Sequence, residues 1–323
     1  MIYVLMLFGF VALIKGADML VEGASSLAKG FGISDLVVGL TIVSLGTSMP
    51  ELIVTMMATV QGNAEVGVGN ILGSNIANIL LILGVTVLFV PINVQKTTVF
   101  SEIPFSIIAA LLVGFIANTH IFSPNNPALQ IDRFEGSLII LFFVIFSIYI
   151  VSLMIEDKVK VDTESSGIEI GHLPVWKSII FIIAGCVLLF LGGKFVVDGA
   201  VGLAQFFKMS ESFISLTIIA VGTSLPEFIT SVVAAKKGNA DVAIGNVIGS
   251  NILNILFILG LSSVILPIPI QNASNQDILV VVLSSVLLLI LMSISRKSML
   301  KRWHGVVLVS CYILYTGFLI WRG

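Results

Sequence analysis

Charge is scarce in this chain: of its 323 residues only 11% are charged, while 57% are hydrophobic. A typical soluble domain is about 25% charged, so the shortage excludes a disordered chain and argues against an ordinary soluble enzyme. No basic excess compensates, since the formal net charge is −2, and no global field attracts nucleic acid. Cysteine is equally sparse. Cys186 and Cys311 both lie in apolar runs, cannot build a disulfide framework, and read as small packing residues. The histidines His120, His172 and His304 fall near expected helix ends or loops at no metal-ligand spacing, so they read as solvated or interfacial. No nucleophile–base pair is visible, and the chain does not read as an enzyme.

What is present is apolar sequence, with a mean hydropathy of +1.13. A bilayer-spanning helix needs about 20 apolar residues, and the hydropathy predicts ten spans, at 2–21, 33–59, 66–90, 103–118, 135–154, 176–196, 210–235, 242–266, 276–294 and 303–321. The first carries Lys15 and Asp18 and lacks a basic leader, so it reads as a retained helix. Between the fifth and sixth spans, 155–175 is a polar linker containing Glu156, Asp157, Lys158, Lys160, Asp162, Glu164 and Glu169. It divides the chain into 1–154 and 176–323. Lys and Arg placement sets orientation. With the N-terminus outside, the inner loops hold eleven basic residues (Lys29, Lys96, Lys158, Lys160, Lys177, Lys236, Lys237, Arg296, Lys297, Lys301, Arg302) and the outer ones three (Arg133, Lys208, Arg322). Both termini are therefore expected outside and the linker in the cytoplasm.

The halves are copies. Residues 46–92, GTSMPELIVTMMATVQGNAEVGVGNILGSNIANILLILGVTVLFVPI, align without a gap to 222–268, GTSLPEFITSVVAAKKGNADVAIGNVIGSNILNILFILGLSSVILPI, at a constant offset of 176 (222 minus 46). Five spans per half is an odd number, so the second half enters the membrane from the opposite side. The expected fold is an all-α integral membrane protein of ten helices in two inverted repeats of five, an arrangement characteristic of transporters.

The repeated Gly-Thr-Ser-x-Pro-Glu block falls within the second and seventh spans. Pro50 and Pro226 lack an amide donor, which deprives the Gly46 and Gly222 carbonyls of their helical partners and predicts broken helices there. Freed carbonyls at this depth are tolerated where they line a cavity, and they can ligate a cation. Glu51 and Glu227 follow directly, with no Lys or Arg at helical spacing in either block. Charges at membrane depth are costly and mark ion pathways. Two carboxylates brought together repel unless a cation lies between them, and a hard divalent ion would neutralise both. Thr47 and Thr223 precede the glutamates by four residues, and the next span of each half carries a polar stripe, Asn70, Ser74, Asn78 and Asn246, Ser250, Asn254. All offer oxygen and none offers sulfur or imidazole, which suits Ca2+, Na+ or Mg2+ over zinc or copper. Gly69, Gly73, Gly245 and Gly249 have the spacing of close helix packing. Asp18, Glu22 and Asp198 read as interfacial, and Glu102 and Asp277 as marking helix starts.

The paired blocks GTSMPE…GN…GSNIANI and GTSLPE…GN…GSNILNI resemble the two alpha repeats of the cation/Ca2+ exchanger superfamily, in particular its prokaryotic Na+/Ca2+ exchangers. The resemblance covers both halves. It implies Ca2+ extrusion against Na+ entry by alternating access, commonly three Na+ per Ca2+, in the plasma membrane, with no cofactor beyond the transported ions and no obligate protein partner. Carried over by motif position, the central Ca2+ carboxylates are Glu51 and Glu227, with Thr47, Ser48, Thr223 and Ser224 beside them. Na+ sites would use Ser74, Ser250 and the main chain of Ser44 and Ala220, and the polar pair of the third and eighth spans is Asn78 and Asn254. Asn254 stands where some relatives carry Asp, which leans against K+ dependence. In the family, the first and sixth spans slide as a bundle against the remainder, and Gly16, Gly23, Gly192, Gly193 and Gly199 would suit smooth packing there. Two buried glutamates can also carry protons, so an H+/Ca2+ antiporter is the first alternative; a cation channel or ion-sensing membrane protein is the second.

Overall fold

A computed structural model describes residues 2–119, 130–164, 173–206, 220–295 and 299–322. Long apolar runs can satisfy their own backbone polar groups only as helix, and helix dominates. In chain order the helices are α1 (Ile2–Phe31), α2 (Asp35–Thr47), α3 (Met49–Val60), α4 (Ala64–Phe89), α5 (Thr98–Ile116), α6 (Arg133–Glu164), α7 (Val175–Phe206), α8 (Leu225–Lys236), α9 (Ala240–Ile265), α10 (Asn272–Ile294) and α11 (Arg302–Arg322). Among the described residues seven of them, α4–α7 and α9–α11, are long and apolar enough to cross a membrane, and α2 with α3 counts as one broken span. The expected first span lies in α1, which carries Lys15, Asp18, Glu22 and Lys29 along its length. The expected seventh begins in residues outside the described ones. Helix α6 continues through 155–164, part of the segment read as a linker.

The chain forms two compact units, Met1–Pro50 with Ile148–Gly249, and Glu51–Ser147 with Ser250–Gly323. Each unit draws on both sequence halves.

In the first unit α1 and α7 run antiparallel with their backbones nearly touching. A Cβ built on Gly9 would stand 2.8 Å from the Gly192 carbonyl oxygen, one on Gly16 2.9 Å from that of Gly185, and one on Gly23 2.7 Å from that of Ser178. Small residues thus recur every seven positions on both helices, and Leu13, Ala17, Leu20, Val21 and Ala24 are fully buried from the α1 side. Gly193 is not part of this seam; its nearest described neighbour is the Pro226 ring, at an ordinary 3.8 Å. Lys237, just after α8, pairs with Asp18 at 2.5 Å and with Glu22 at 3.9 Å, both well inside α1 and away from its ends. Cys186 is a free thiol whose sulfur fills the space where a side chain at Gly46 would go, 2.7 Å from a built Cβ.

In the second unit α5 packs on α10, and α11 packs on the last turns of α4, where a Cβ on Gly305 would come within 2.6 Å of the Gly84 carbonyl oxygen. Two short antiparallel ladders tie the connections: β1 (Ile92–Asn93) with β4 (Met299–Leu300), and β2 (Gln130–Ile131) with β3 (Ile268–Pro269). Asp132 and Glu135 form a reciprocal capping box at the start of α6, with N–H to carboxylate distances of 2.9 and 2.8 Å. Two expectations change here. His304 is not solvated: it is 1% exposed, and its Nδ1 accepts the Lys301 amide at 2.7 Å, capping α11. Glu102 does not mark the start of a helix: it is the fifth residue of α5, closes the π-helical turn Thr98–Glu102, and is wholly buried. Asp277, in the second turn of α10, holds Arg322 at 3.0 and 3.2 Å and accepts from Tyr315 at 3.0 Å.

Candidate functional site

The two Gly-Thr-Ser-x-Pro-Glu blocks fold the same way. Helix α2 ends at Thr47, Ser48 leaves helical geometry at φ −83°, ψ 7°, and α3 begins at Met49. A short turn at Ala220–Gly222 precedes Ser224, at φ −88°, ψ 8°, and α8 begins at Leu225. The proline sits in the first turn of each new helix, where a missing N–H costs nothing. Both predicted breaks are present. The break interrupts the four-residue register expected between Thr47 and Glu51.

The first unit gathers polar groups of the first block around the second block's glutamate. Glu227 is 1% exposed. The Ser48 hydroxyl donates to its Oε1 at 2.9 Å, and Asn246 Nδ2 donates to its main-chain oxygen at 3.3 Å. Its other carboxylate oxygen, Oε2, is buried and makes no hydrogen bond among the described residues. Thr47 donates to Asn246 Oδ1 at 3.0 Å, while Asn246 also donates to Ser231 at 3.0 Å. The Ser44 carbonyl accepts the Ser48 amide at 2.9 Å and the Thr47 hydroxyl at 3.3 Å. Asn246 is thus a hub, bonded to one residue of each block and to the turn after the glutamate.

The second unit holds Glu51, also fully buried, with the Ser74 hydroxyl donating to Oε1 at 3.4 Å. Asn70 donates to Thr55 at 3.3 Å. Farther along α4 and α9 the helices change character: Ala77–Leu83 and Leu253–Leu259 are π-helical, at the same offset of 176. Such segments are rare and frequent at functional sites. Asn78 and Asn254 sit in them, both buried, and bond to Asn251 and Asn75 respectively.

Of the sequence-expected residues, Ser44, Thr47, Ser48 and Glu227 come together in the first unit, Glu51 and Ser74 in the second, and Asn78 and Asn254 share one network. Ser224 and Ser250 are buried, Thr223 is half-buried, and Ala220 opens the short turn. Sequence reasoning placed Asn246 in a stripe without seeing it as a hub, and passed over Asn75, Asn251 and Ser231. Their repetition or near-repetition at the 176 offset was the available signal. Among the described residues no three His, Cys, Asp or Glu side chains cluster as metal ligands. Each unit gathers carboxylate, hydroxyl, amide and main-chain oxygens around its glutamate, the donor types that suit a hard cation.

A family model described as sodium/calcium exchanger protein matches residues 1–152 and 177–321. The chain belongs to the sodium/calcium exchanger family. The exchanger is 33% identical over 343 residues to sodium/calcium exchanger MaX1 of Methanosarcina acetivorans, covering 97% of each chain. It is 35% identical over 322 residues to inner membrane protein YrbG of Escherichia coli, covering 98% of this chain and 96% of that one. Its fold matches the solved sodium-calcium exchanger NCX_Mj, soaked with Na+ without Ca2+, at a TM-score of 0.79 and 29% identity, covering 97% of this chain and 98% of the other. The exchanger is a multi-pass helical membrane transporter, an antiporter and not an enzyme. The ions it moves are substrates; no cofactor is indicated.

Proposed function

We propose that the exchanger extrudes Ca2+ against entering Na+ by alternating access, through ten spans in two inverted repeats, 1–154 and 176–323, joined by a cytoplasmic linker at 155–175. The observation that carries this reading is the pair of glutamates at repeat-equivalent positions, each buried just after a helix break and each receiving a serine hydroxyl on Oε1. Buried carboxylates without compensation are strongly unfavourable, and a Ca2+ ion supplies two positive charges against their two negative ones. Thr47, Ser48, Thr223 and Ser224 complete the Ca2+ ligands. Ser74, Ser250 and the carbonyls of Ser44 and Ala220 serve Na+, with Asn78 and Asn254 beside them. A Na+ at the Ser44 carbonyl would displace the Thr47 hydroxyl now bonded there.

Three Na+ would overcompensate the carboxylates by one charge, making exchange electrogenic. At about 2.3 kcal/mol per charge per 100 mV, an inside-negative potential then favours Ca2+ export. The eleven-to-three distribution of basic residues supports a plasma-membrane orientation with both termini outside.

Ca2+ uptake into proteoliposomes under imposed Na+, K+ or H+ gradients tests the coupling. An outward Na+ gradient is expected to drive uptake, and K+ to be without effect. Uptake driven by a pH gradient and indifferent to Na+ would replace this reading with H+ antiport. Ca2+ flux needing no counter-ion would replace it with a channel.

A further inference from the structure

Four buried asparagines of the second unit, Asn75, Asn78, Asn251 and Asn254, form one closed network whose hydrogen-bond polarity can be worked out from chemistry alone. Asn75 Nδ2 donates to the main-chain oxygen of Asn251 at 3.3 Å, and Asn251 Nδ2 donates to that of Asn75 at 3.2 Å. A main-chain carbonyl only accepts, so the amino ends of Asn75 and Asn251 must face these carbonyls and neither side chain can be turned over. Their Oδ1 atoms must therefore accept. They do so crosswise: Asn78 Nδ2 donates to Asn251 Oδ1 at 2.9 Å, and Asn254 Nδ2 donates to Asn75 Oδ1 at 3.1 Å. That fixes the outer pair in turn. With their amino ends committed inward, Asn78 and Asn254 are left with Oδ1 on the far side of the amide, and both of those oxygens are buried with no hydrogen bond among the described residues. The four residues are at most 1% exposed, so water does not compete for them at the surface.

We infer that Asn75 and Asn251 are positioning residues that set the polarity of the ion path, by forcing Asn78 and Asn254 to present carbonyl oxygen and not amino hydrogen to a passing cation. An asparagine amide turned the other way would offer two donors and repel the same ion. The network is repeat-symmetric, each residue being matched at an offset of 176, and the outer pair lies in the two π-helical segments. The crossing means that each half's outer asparagine is oriented by the other half's inner one. This inference rests on the reading of Asn78 and Asn254 as cation ligands and adds a role for the pair behind them.

The crossing makes the test specific. Asn78→Leu, Asn254→Leu, Asn75→Leu and Asn251→Leu, with the four pairwise doubles between inner and outer residues, are reconstituted, and the apparent affinities for Ca2+ and for Na+ and the saturated exchange rate of each are measured. Each single variant is expected to weaken apparent affinity for one or both ions by about tenfold, equivalent to about 1.4 kcal/mol, with the saturated rate kept within about twofold. The doubles 251/78 and 75/254 should be no worse than their singles, because the inner residue acts through the outer one. The doubles 251/254 and 75/78 should multiply. An unchanged affinity for both ions in Asn78→Leu and Asn254→Leu would remove the ligand reading and this inference with it. Weakened affinity in those two, with Asn75→Leu and Asn251→Leu normal or with all four doubles multiplying, would overturn the positioning role alone. Ala at 75 and 251 removes the same groups without bulk. If neither the Leu nor the Ala variants fold, as judged by gel filtration in detergent, the inner pair belongs to the scaffold and the inference falls.

Discussion

Asn70 and Asn246 hold the same place in the two copies and make the same first bond, to Thr55 at 3.3 Å and to Ser231 at 3.0 Å. Their surroundings then diverge. Asn246 is fully buried, whereas Asn70 is only partly buried. The glycines flanking them differ in the same sense. A Cβ on Gly245 would meet the Leu36 carbonyl oxygen at 2.8 Å, and one on Gly249 would meet Leu40 and Ser44 at 2.8 Å. On Gly69 or Gly73 it would meet nothing among the described residues within 4 Å. Along the whole helix, α9 is 94% buried over its most apolar stretch and α4 78%. Local structure follows the repeated sequence closely, down to the π-helical turns; enclosure among the described residues does not. On the alternating-access reading proposed above, such an inequality is required, because two copies in equivalent surroundings would leave no side preferred.

The largest effect expected on this comparison is at the glutamates. Glu51→Gln and Glu227→Gln each keep the shape and remove the charge. If both copies supply the ion site, each variant should abolish Na+-driven Ca2+ uptake in proteoliposomes, a loss of at least about a hundredfold for a carboxylate engaged by a cation in a buried setting. Normal transport in either would mean that the inequality extends to function and that only one copy binds.

Next comes the hub. Asn246→Ala removes side-chain partners of three buried groups, the Thr47 and Ser231 hydroxyls and the Glu227 main-chain oxygen, of which Thr47 keeps its bond to the Ser44 carbonyl, and should cost about 2–4 kcal/mol of stability, given about 1–3 kcal/mol per buried group left unsatisfied. Asn70→Ala should cost about 1 kcal/mol. Thermal unfolding of the detergent-solubilised variants checks the ratio. Equal costs would show that the partial exposure of Asn70 carries no energetic meaning.

Much of this was legible in the sequence, for identifiable reasons. The gapless repeat predicted both helix breaks, because proline's missing donor acts locally; it pointed to Asn246 and Ser74, and the family resemblance to Ser48, which bond to Glu227 and Glu51. Gly16, Gly23 and Gly192, expected to smooth the packing of a sliding bundle against the remainder, lie instead in the seam between α1 and α7, together with Gly9 and Gly185. Gly193 faces the Pro226 ring of α8 and not α1, a difference in helical facing that the presence of glycine alone does not reveal. His304 was expected at the surface because a cap made from a buried ring looks, in sequence, like any histidine at a helix start. The pairings Ser48–Glu227 and Thr47–Asn246 were not legible at all: they join residues about 180–200 positions apart by packing. The asparagine network was missed for a related reason. Its meaning lies in donor–acceptor direction, which composition and periodicity do not carry.

The smallest structural effect sharpens the comparison furthest. Gly245→Ala drives a methyl into the backbone of Leu36, Gly39 and Leu40, and overpacking of this kind costs about 1–3 kcal/mol. Gly69→Ala should change stability by less than about 0.5 kcal/mol, as surface substitutions do. A static protein would leave it there, with Gly69→Ala transporting normally. If the two copies exchange surroundings during transport, the methyl at 69 must meet in the other state what a methyl at 245 meets in this one. The cost is then paid by that state alone, and Gly69→Ala should slow exchange by about tenfold, the kinetic equivalent of 1.4 kcal/mol, while its unfolding temperature stays at the wild-type value. A bulkier Gly69→Leu should deepen the block without unfolding the protein. Wild-type exchange rates in both would mean that the first copy never becomes enclosed as the second is, and the inequality would be a fixed property of the fold and not one half of a cycle.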